Sequence, residues 1–423
     1  MKKGKEEMQF DTISVIGLGY IGLPTAAVIA SRRKKVIGVD VSQNVVDTVN
    51  DGKIHIIEPE LDIVVHSVVN EGFLKATTKP EPADAFLIAV PTPFKGDHEP
   101  DLAYIEAASK AIAPVLKKGD LVVLESTSPV GATEKMSQWM SEARSDLSFP
   151  HKAGEDSDIR VAHCPERVLP GHVIRELVEN DRVIGGLTKK CSERAVQLYK
   201  TFVEGACIIT NAKTAEMAKL TENSFRDVNI AFANELSIIC DKLDINVWEL
   251  IRLANRHPRV NILQPGPGVG GHCIAVDPWF IVDKTPKEAK LIRSAREVND
   301  RKPSTVINTI IEHAKKLKTE QIVCLGAAFK PDIDDLRESP ALKIILKLAH
   351  MGYNVKLVEP NIDTLPELLN ADECQLVTLE DVLEVSKEQV ISVLVAHKEF
   401  KASEELHRKN TLDFCGALIR EIH

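Results

Sequence analysis

Residues 12–40 read TISVIGLGYIGLPTAAVIASRRKKVIGVD, and this stretch decides the fold of the first part of the chain. The run Ile13-Ser14-Val15-Ile16 predicts a short β-strand, and the apolar stretch from Leu23 to Ser31 predicts a helix. Between them lies a turn with three glycines, and after them comes a second β-rich run, Lys35 to Asp40, which ends on an acid. The pattern therefore predicts one β-α-β unit.

The turn Gly17-Leu18-Gly19-Tyr20-Ile21-Gly22 has GxGxxG spacing, and Asp40 follows eighteen residues after its last glycine. The first glycine permits a tight turn, the second lets backbone approach a pyrophosphate, and the third lets helix and strand pack closely. The helix N-terminus attracts phosphates, and the Asp40 carboxylate would accept hydrogen bonds from ribose hydroxyls. The sequence therefore predicts an NAD site, because Asp40 would repel the extra phosphate of NADP. A turn that holds no nucleotide is the alternative.

A second GxGxxG match at Gly266 to Gly271 does not predict a nucleotide site, because no strand precedes it and Pro267 interrupts it. Further apolar runs at 85–90 and 121–125 alternate with helical patterns such as 104–116. Strands that alternate with helices at this spacing predict a doubly wound parallel sheet.

Later parts of the chain have a different pattern. Thr214 to Leu253 is helical, with apolar positions three and four residues apart, and a helical pattern resumes from 286 to 317. From Gln321 a second β-α-β pattern follows, and its second strand ends at Glu359. We predict an α/β protein with two doubly wound domains joined by a central helical domain, with the boundaries 1–210, 211–316 and 317–423.

Thr92 and Thr127 each lie just after a predicted apolar strand. In an open parallel sheet, loops at the carboxyl ends of strands face the ligand. Both threonines are therefore candidate cofactor contacts, and helix N-caps are the alternative interpretation.

Composition excludes several classes of protein. The net charge of −9 argues against a general nucleic-acid-binding protein, which needs a basic face. The eight cysteines are scattered without the spacing of a metal site, so we expect reduced thiols and no metal. The first ten residues, MKKGKEEMQF, lack the apolar core of a secretion signal, and no stretch has the roughly 20 apolar residues of a membrane helix. We expect a cytoplasmic protein with no membrane partner.

Several long motifs together resemble the UDP-glucose/GDP-mannose dehydrogenase family, from Ile13 to about Glu359. The most specific are VPTPFKGDHEPD at 90, LESTSPVGATE at 124, CPERVLPG at 164, LTENSFRDVNIAFANEL at 220, NRHPRVNILQPGPGVGGHCIAVDPWF at 255 and FKPDIDDLRESP at 329. The resemblance implies an N-terminal Rossmann-like NAD domain, a central helical dimerisation region and a C-terminal Rossmann-like UDP-binding domain. It is strongest to members that oxidise UDP-N-acetyl-D-mannosamine for surface polysaccharide.

The resemblance also implies roles for individual residues. Cys273 would be the nucleophile and Lys219 its neighbour, and Glu166 would lie near the reacting carbon. His257 and Arg259 would reach the substrate across the interface of a homodimer. The remaining substrate contacts would be Arg167, Val168, Lys219, Asn223, Arg226, Gly270, Phe329 and Lys330. Arg337 would lie on the cofactor's side.

These residue types fit the chemistry of a double oxidation. Converting a primary alcohol to a carboxylate removes two hydrides, with an aldehyde between the steps. A thiolate traps that aldehyde as a thiohemiacetal, and its oxidation gives a thioester that water hydrolyses. Lys219 can stabilise the oxyanion, and its spacing from Asn223 places both side chains on one face of a helix. A buried and inert thiol is the alternative for Cys273.

Two positions depart from the pattern of UDP-glucose dehydrogenases. A second glutamate expected four residues after Glu166 is Pro170, and a lysine expected three residues after Cys273 is Val276. These changes argue against UDP-glucose and favour the N-acetylmannosamine sugar. They leave two candidates for activating the hydrolytic water, Asp277 and a water held by Thr127.

Two other functions remain as alternatives. One is a dehydrogenase of another UDP-sugar, such as UDP-N-acetylglucosamine. The other is a catalytically silent protein that binds NAD and a nucleotide. An NAD-dependent epimerase is disfavoured, because no Tyr-x-x-x-Lys pair follows the strands of the first domain.

Overall fold

A computed structural model of the chain describes residues 10–168, 171–271, 273–369, 372–383, 388–408 and 411–418. The chain forms two compact units, Met1–Thr221 and Glu222–His423, which we call unit 1 and unit 2. Their division falls inside one long helix, so the predicted boundaries of three domains stay a prediction. Among the described residues, no helix combines the length and the hydropathy that crossing a membrane requires.

Unit 1 is built on an eight-stranded sheet with the order β10-β9-β8-β7-β4-β1-β2-β3, and β5 and β6 form a separate antiparallel pair. The strands are β1 Thr12–Ile16, β2 Lys35–Val39, β3 Leu74–Thr77, β4 Ala85–Ile88, β5 Phe94–Lys95, β6 Glu99–Pro100, β7 Leu121–Leu124, β8 Arg160–His163, β9 Arg182–Gly186 and β10 Cys207–Asn211. The helices are α1 Gly22–Ser31, α2 Gln43–Asn50, α3 Leu61–Asn70, α4 Ala103–Ile112, α5 Ala132–Ala143, α6 Pro150–Ala153, α7 Val173–Glu179 and α8 Lys189–Tyr199.

The central strands of this sheet are buried on both faces. Strands β4 and β7, with the sequences AFLI and LVVL, have four buried residues each. Residues on opposite sides of the strands belong to two separate hydrophobic cores, as Leu87 and Phe86 show. Continuous apolar runs are typical of parallel strands covered by helices on both faces, so the doubly wound prediction is confirmed here.

The last two strands differ from the fully parallel prediction. β9 pairs antiparallel with β8, and β10 then pairs parallel with β9. Among its described residues, the connection between β8 and β9 contains one helix, the seven-residue α7. Alternation of strands and helices in a sequence does not show this change of direction.

The strand order reverses once in unit 1. The chain builds β1, β2 and β3 outward in one direction and then returns to place β4 on the other side of β1. At such a switch point, the loops after the two central strands separate and leave room for a ligand. The loops after β1 and β4 contain Gly17 to Gly22 and Thr92, so the predicted cofactor residues lie at this point.

Unit 2 begins within α9 Ala212–Leu243, the helix that carries the chain from one unit to the other. Its other helices are α10 Val247–Ala254, α11 Asp277–Lys284, α12 Lys290–Leu317, α13 Pro340–His350, α14 Leu379–Leu383, α15 Lys398–Ala402 and α16 Glu404–Arg408. Its strands are β11 Gln321–Leu325, β12 Asn354–Val358, β13 Cys374–Leu376, β14 Val390–Val393 and β15 Thr411–Asp413.

These five strands form a parallel sheet with the order β13-β12-β11-β14-β15. The second β-α-β unit predicted from the sequence is therefore confirmed as β11, α13 and β12. The sheet has the same kind of switch point as unit 1, here between β11 and β14. The loops after these two strands carry Phe329, Lys330 and His397.

The predicted helix from Thr214 to Leu253 is interrupted in the structure. α9 ends at Leu243, Asp244 takes a left-handed φ of 56°, and Asn246 caps the start of α10. The Asn246 side chain accepts hydrogen bonds from the amides of Trp248 and Glu249. A residue that competes for backbone hydrogen bonds in this way favours a helix start over a helix interior.

Candidate active site

The glycine turn after β1 has the geometry that its sequence predicts. Gly17 has a φ of 91°, and a side chain there would lie 2.8 Å from the carbonyl oxygen of Ala89. A Cβ atom on Gly22 would lie only 1.7 Å from the Gly17 carbonyl oxygen, whereas one on Gly19 would meet nothing within 4 Å. Gly17 and Gly22 are therefore required by the fold, and Gly19 leaves open space beside the backbone. That space is what close approach of a pyrophosphate needs.

Asp40 organises this turn from the end of β2. Its carboxylate accepts hydrogen bonds from the Leu18 amide at 3.0 Å and from the Ser42 amide at 2.9 Å. Asp40 stays partly exposed, and each of its oxygens keeps a lone pair for a ribose hydroxyl. Helix α1 starts after Ile21 without a side-chain cap, so its N-terminal amides suit a phosphate. Tyr20 and Ile21 lie on the outer part of the turn, where both are at least partly exposed. The residues present fit a dinucleotide.

Thr92 and Thr127 lie in the loops after β4 and β7, and neither is a helix N-cap. The residues that precede α4 and α5 are Leu102 and Gly131, so the N-cap interpretation is wrong for both threonines. The hydroxyl oxygen of Thr92 is buried and has no hydrogen-bond partner among the described residues. A buried polar atom without a partner suits a contact to a ligand.

Glu216 is a residue of this region that sequence reasoning missed. It lies on α9, is 1% exposed, and accepts hydrogen bonds from the amides of Gly131 and Thr133 at 2.7 and 2.8 Å and from the Thr133 hydroxyl at 2.6 Å. Burial raises the pKa of Glu216, although these hydrogen bonds oppose the rise. The carboxylate caps the start of α5 from another helix, α9. On α9, Glu216 lies three residues before Lys219. Its spacing in the sequence gives no signal of this long-range contact.

Glu166, which we predicted near the reacting carbon, is 7% exposed and forms an ion pair. One of its carboxylate oxygens lies 2.5 Å from Nη1 of the buried Arg182, and the other accepts the Arg167 amide at 2.6 Å. Both oxygens are therefore engaged within unit 1. Arg167 and Val168 follow at partly exposed positions, and Pro170 lies outside the described residues.

A second buried acid, Glu125, lies close to this ion pair. Its carboxyl accepts a hydrogen bond from the Tyr199 hydroxyl at 2.6 Å. Burial, together with the negative charge of Glu166, raises the pKa of Glu125 to about 7. Burial likewise raises the pKa of the Cys164 thiol beyond any working pH, which makes this cysteine inert.

The nucleophile candidate in unit 2 has a different environment. Cys273 is exposed, and its carbonyl oxygen accepts hydrogen bonds from the amides of Val276 and Asp277 at 3.0 and 2.9 Å. These bonds form the turn that leads into α11, and the cysteine lies three residues before Val276, the N-cap of that helix. The alternative of a buried cysteine is wrong for this residue.

Asp277 joins this turn to α9. It is the first residue of α11, is 3% exposed, and accepts a hydrogen bond from the Asn223 side chain at 2.5 Å. Asn223 is itself buried on α9. The structure thus brings three of the predicted catalytic residues into one connected group. Lys219 lies one helical turn before Asn223 and is partly exposed.

The glycine-rich segment before Cys273 packs against the loop after β11. A Cβ atom on Gly270 would lie 2.7 Å from Cδ of Pro340 and 3.1 Å from Cβ of Phe329. A Cβ atom on Gly271 would lie 3.4 Å from the Phe329 ring. These glycines let the segment before Cys273 come into close contact with the loop of Phe329 and Lys330, two predicted substrate contacts. Close packing therefore explains the glycines of this second GxGxxG match.

The other predicted ligand residues of unit 2 lie at exposed positions. Lys330 and Arg226 are exposed, and His257 and Arg259 lie on the exposed segment after α10. The Arg337 guanidinium forms a double hydrogen bond with the Asp335 carboxylate, at 2.9 and 2.5 Å. A ligand anion at Arg337 would therefore share or replace this carboxylate.

Comparison with known proteins settles the family. Models of the UDP-glucose/GDP-mannose dehydrogenase family match three consecutive segments: the NAD binding domain at residues 11–203, the central domain at 213–301 and the UDP binding domain at 323–419. The chain belongs to this family. The predicted family and the predicted cofactor, NAD, are confirmed. In this dehydrogenase, unit 1 accordingly contains the NAD-binding domain, and the sheet of unit 2 belongs to the UDP-binding domain.

Individual relatives are similar over almost the full chain. The dehydrogenase is 68% identical to the UDP-N-acetyl-D-mannosamine dehydrogenase of Campylobacter jejuni, over 96% of this chain and 100% of that protein. It is 64% identical to the NDP-N-acetyl-D-galactosaminuronic acid dehydrogenase of Ralstonia solanacearum, over 93% of each chain. The solved structure of the UDP-D-ManNAc dehydrogenase of Pyrococcus horikoshii shares 39% identity and superposes with a TM-score of 0.86, over 97% of this chain and 96% of that one.

Proposed function

We propose that this dehydrogenase oxidises UDP-N-acetyl-D-mannosamine to UDP-N-acetyl-D-mannosaminuronate in two NAD-dependent steps, with Cys273 as the covalent nucleophile. The observation that carries the proposal is the connected group of Cys273, Asp277 and Asn223 at the start of α11. Its exposed thiol, on the turn that leads into α11, is suited to attack a carbonyl carbon. The sugar is proposed because relatives at 68% and 60% identity are named UDP-N-acetyl-D-mannosamine dehydrogenases.

The chemistry at Cys273 proceeds in three stages. The C6 alcohol first loses a hydride and a proton and becomes an aldehyde. The Cys273 thiolate adds to the aldehyde carbon, and a second loss of hydride converts the thiohemiacetal into a thioester. Water then attacks the thioester carbon, the C–S bond breaks, and the carboxylate and the thiol are released. NAD, when bound, supplies the hydride acceptor for both oxidations, so two NAD are consumed for each sugar.

Two polar side chains of α9 are our candidates for stabilising the charges that develop during these stages. We assign Lys219 and the Asn223 amide to the oxyanion of the thiohemiacetal and of the hydrolytic intermediate. Asn223 is held in place by its hydrogen bond to Asp277. The Asp277 carboxylate is the first candidate for activating the water that hydrolyses the thioester. A water held by Thr127 is the second candidate for hydrolysis. Glu166, bound by Arg182, fits a role in holding Arg167 and Val168 beside the sugar better than proton transfer.

Substitution distinguishes the two candidates for activating the hydrolytic water. Replacing the residue that activates water should leave both the attack of Cys273 and the hydride transfers intact, so that the thioester accumulates. Asp277→Asn and Thr127→Ala are compared by intact-mass spectrometry after reaction with UDP-N-acetyl-D-mannosamine. A protein mass increased by the acyl-UDP-sugar in only one variant identifies the residue, and its absence in both excludes the two candidates.

We assign the nucleotide half of the substrate to unit 2. Phe329 offers a ring for the uracil base, and Lys330, beside it, offers a cation for the diphosphate. Gly270 lies against Phe329 and leaves no room for a side chain between the two segments. Arg226 adds a second exposed cation of the same unit. Arg337 would contact the cofactor if a phosphate displaced it from Asp335.

The sugar itself is tested by stoichiometry and by a panel of substrates. Purified protein with UDP-N-acetyl-D-mannosamine should yield two NADH for each sugar consumed. UDP-N-acetylglucosamine, UDP-N-acetylgalactosamine and UDP-glucose complete the panel. The galactosamine sugar is a second candidate because the Ralstonia solanacearum relative at 64% identity carries a galactosaminuronic acid name. No NADH with any of these sugars would support the silent nucleotide-binding alternative.

The role of Cys273 is tested by its serine variant. Cys273→Ser should abolish uronate formation and keep the wild-type affinity for NAD, because the variant leaves unit 1 unchanged. Cys207→Ser, at a half-buried cysteine of β10, is the matched control and should keep its activity. Uronate formation at the normal rate by Cys273→Ser would exclude the thioester route.

We also propose a homodimer. Phe225, Phe232 and Ile239 follow each other at intervals of seven residues on α9 and are 68%, 52% and 45% exposed. Large apolar residues at this spacing form one stripe along a helix, which suits pairing with a second copy of the same helix. Phe232→Glu should convert the dimer into a monomer, measured by light scattering after size exclusion, while NAD binding persists.

In the proposed dimer, His257 and Arg259 reach the substrate site of the partner subunit. Two inactive variants test this directly. If Arg259 acts across the interface, a mixed dimer of Arg259→Ala and Cys273→Ser chains contains one intact site. Mixing the two variants should then restore up to about half of the wild-type activity in the mixed dimers. Mixtures that remain inactive after subunit exchange would place Arg259 in its own subunit's site.

We place the enzyme in the cytoplasm, where NAD and nucleotide sugars are made. The eight cysteines, all in described residues, form no disulfide bonds, as expected for a reducing compartment. The uronate product is an activated sugar of the type used to build surface polysaccharide. Deletion of the gene should remove the corresponding uronic acid from that polymer.

A further inference from the structure

A buried polar network in unit 2 fixes the segment that follows β11. Glu359, directly after β12, is 3% exposed, and its Oε2 accepts hydrogen bonds from the amides of Ala327 and Ala328 at 2.7 and 3.1 Å. Its Oε1 accepts the amide and the side-chain Nδ2 of Asn361. The carboxylate is thus satisfied within unit 2 and does not face a ligand. These hydrogen bonds hold the beginning of the segment.

The end of the same segment is held by His397, which follows β14 and is fully buried. The His397 Nδ1 atom accepts the Asp332 amide at 2.9 Å, and its Nε2 atom lies 3.1 Å from Oε2 of Glu359. Because a backbone amide can only donate, Nδ1 must be the unprotonated nitrogen. Nε2 therefore carries the proton and donates it to Glu359, which fixes the tautomer and the orientation of the ring.

Asp332 needs this support because its backbone has a left-handed φ of 61°. Its carboxylate accepts the Lys398 amide at 3.0 Å, next to His397 in the sequence. A non-glycine residue keeps such a conformation only where its surroundings impose it. Residues 327–332 are therefore held at both ends, and Phe329 and Lys330 lie between these ends.

We propose that Glu359 and His397 are positioning residues for the loop that binds the UDP group. The proposal rests on the proposed function, in which Phe329 and Lys330 contact uracil and diphosphate. Neither acid nor imidazole touches the substrate in this proposal. They set the backbone from which the two ligand side chains project. The loop therefore loses less conformational freedom when a nucleotide binds than a mobile loop would.

Two substitutions of His397 separate the two halves of the network. His397→Gln places an amide near the Nε2 position, which keeps a donor for Glu359 and removes the acceptor for the Asp332 amide. His397→Asn places its oxygen near the Nδ1 position and keeps that acceptor. With UDP as the probe and calorimetry on the full-length protein, we expect about three- to tenfold weaker binding for His397→Gln, and most of the affinity retained in His397→Asn.

Steady-state kinetics provide a readout that general destabilisation would not give. In His397→Gln the KM for the UDP-sugar should rise by the same factor, while kcat at saturation and the KM for NAD stay at wild-type values. Glu359→Gln puts a side-chain amide against the Ala327 amide, and it should likewise raise the KM for the UDP-sugar without changing kcat. This variant replaces His397→Gln in the test if His397→Gln does not fold. UDP affinity within twofold of wild type in the folded variants would overturn the proposal.

Two further variants distinguish the possible failures. Ser392→Ala removes a fully buried hydroxyl that donates to the Val323 carbonyl at 2.9 Å, in the same sheet but away from the loop. It should lower stability without changing UDP affinity, and an equal loss of affinity would contradict a positioning role. Lys330→Ala should weaken UDP binding if the proposed function holds. Unchanged binding there would disprove the assigned UDP contact rather than the network.

Discussion

The two parallel sheets of this molecule begin in the same way and then diverge. In each, the first strand is followed directly by a glycine with a left-handed φ, 91° at Gly17 and 94° at Gly326. Each glycine amide donates to the last residue of the neighbouring strand, Val39 at 2.7 Å and Val358 at 2.8 Å. Each would also collide with the loop beyond the switch point if it carried a side chain. The shared topology thus imposes glycine at this position in both units.

The helices that follow differ in how their N-termini are satisfied. α1 begins without a side-chain cap, whereas the Ser339 hydroxyl accepts the Leu342 amide at the start of α13, where Pro340 also removes one donor. Amides that the chain leaves without a partner are the ones that a phosphate can use. The open helix end of unit 1 therefore suits a pyrophosphate, and the capped end in unit 2 does not.

The acids that follow the second strand of each sheet, Asp40 and Glu359, also differ in whether the chain already uses their hydrogen-bonding capacity. Asp40 is partly exposed and keeps lone pairs for a ligand, while Glu359 is buried and every oxygen is used by the chain. Unit 2 compensates with a longer loop, which presents Phe329 and Lys330. The two units thus share one topology, but only unit 1 leaves polar groups available to a ligand at both the helix start and the acid.

The largest expected effect that tests this comparison is that of Gly22→Ala. A Cβ atom 1.7 Å from the Gly17 carbonyl oxygen forces α1 away from β1, which should destabilise unit 1 by more than about 4 kcal/mol and abolish NAD binding. Gly19→Ala meets nothing within 4 Å, so it should fold normally and lose only NAD affinity. Urea unfolding and NAD titration measure the two properties. Equal stability of both variants would refute the division between structural and ligand-facing glycines.

One buried acid of each unit, Glu125 in unit 1 and Glu359 in unit 2, should respond to pH with opposite sign. Burial and Glu166 raise the pKa of Glu125 to about 7, above the ordinary value of 4.5. Its contribution to stability is therefore present below pH 4.5 and is lost as the pH rises through about 7. A shift of this size corresponds to about 3 kcal/mol. Glu125→Gln should remove this loss, seen as slower hydrogen exchange of β7 in the variant at pH 8.

Glu359 behaves in the opposite way. Burial acts to raise its pKa, but the hydrogen bonds from His397 and from the amides of Ala327 and Ala328 outweigh burial and lower it below 4.5. Its contribution is present above pH 4.5 and is lost as the pH falls through the lowered value. The protection factors of the β11 and β12 amides against hydrogen exchange should therefore fall at acidic pH in the wild type. A β11 that loses protection on alkalinisation instead would contradict the assignment.

A smaller effect is expected for Asp40→Asn. The variant keeps one acceptor for the turn but loses the charge, so the affinity for NAD should fall about tenfold while stability changes little. Discrimination against NADP should also weaken, because the repulsion of its extra phosphate is removed. The ratio of the two dissociation constants is the measurement. An unchanged ratio would mean that Asp40 only organises the turn through Leu18 and Ser42.

Ser339→Ala should have the smallest effect, a loss of about 1 kcal/mol of stability in unit 2 from the missing cap of α13. NAD affinity should remain at the wild-type value, since unit 1 is unchanged. Chemical unfolding monitored by hydrogen exchange of α13 measures the loss. The N-cap position of α1 is Ile21, whose side chain makes no cap hydrogen bond. Ile21→Ala should therefore leave the stability of that helix end almost unchanged.

Much of the fold and part of the candidate site could be predicted from local sequence. The strands, the turn at Gly17 to Gly22 and the second β-α-β unit follow from hydrophobic periodicity and glycine spacing, which act over a few residues. The family, and with it NAD, could be recognised from long motifs. The roles of Cys273, Lys219 and the other site residues were also predicted from the motifs, and the experiments above are needed to test them.

What the sequence by itself determined was the order of elements and the residue types at strand ends, because these depend on neighbours along the chain. Only the tertiary structure decided which acid serves which purpose. Glu216, Glu166 and Glu359 are all carboxylates in or near motifs, yet each binds a partner more than ten residues away or across the sheet. Glu166, Glu216 and Glu359 are buried, whereas Asp40 is partly exposed, and this difference in burial is the physical reason why Asp40 is the acid that we propose to contact a ligand.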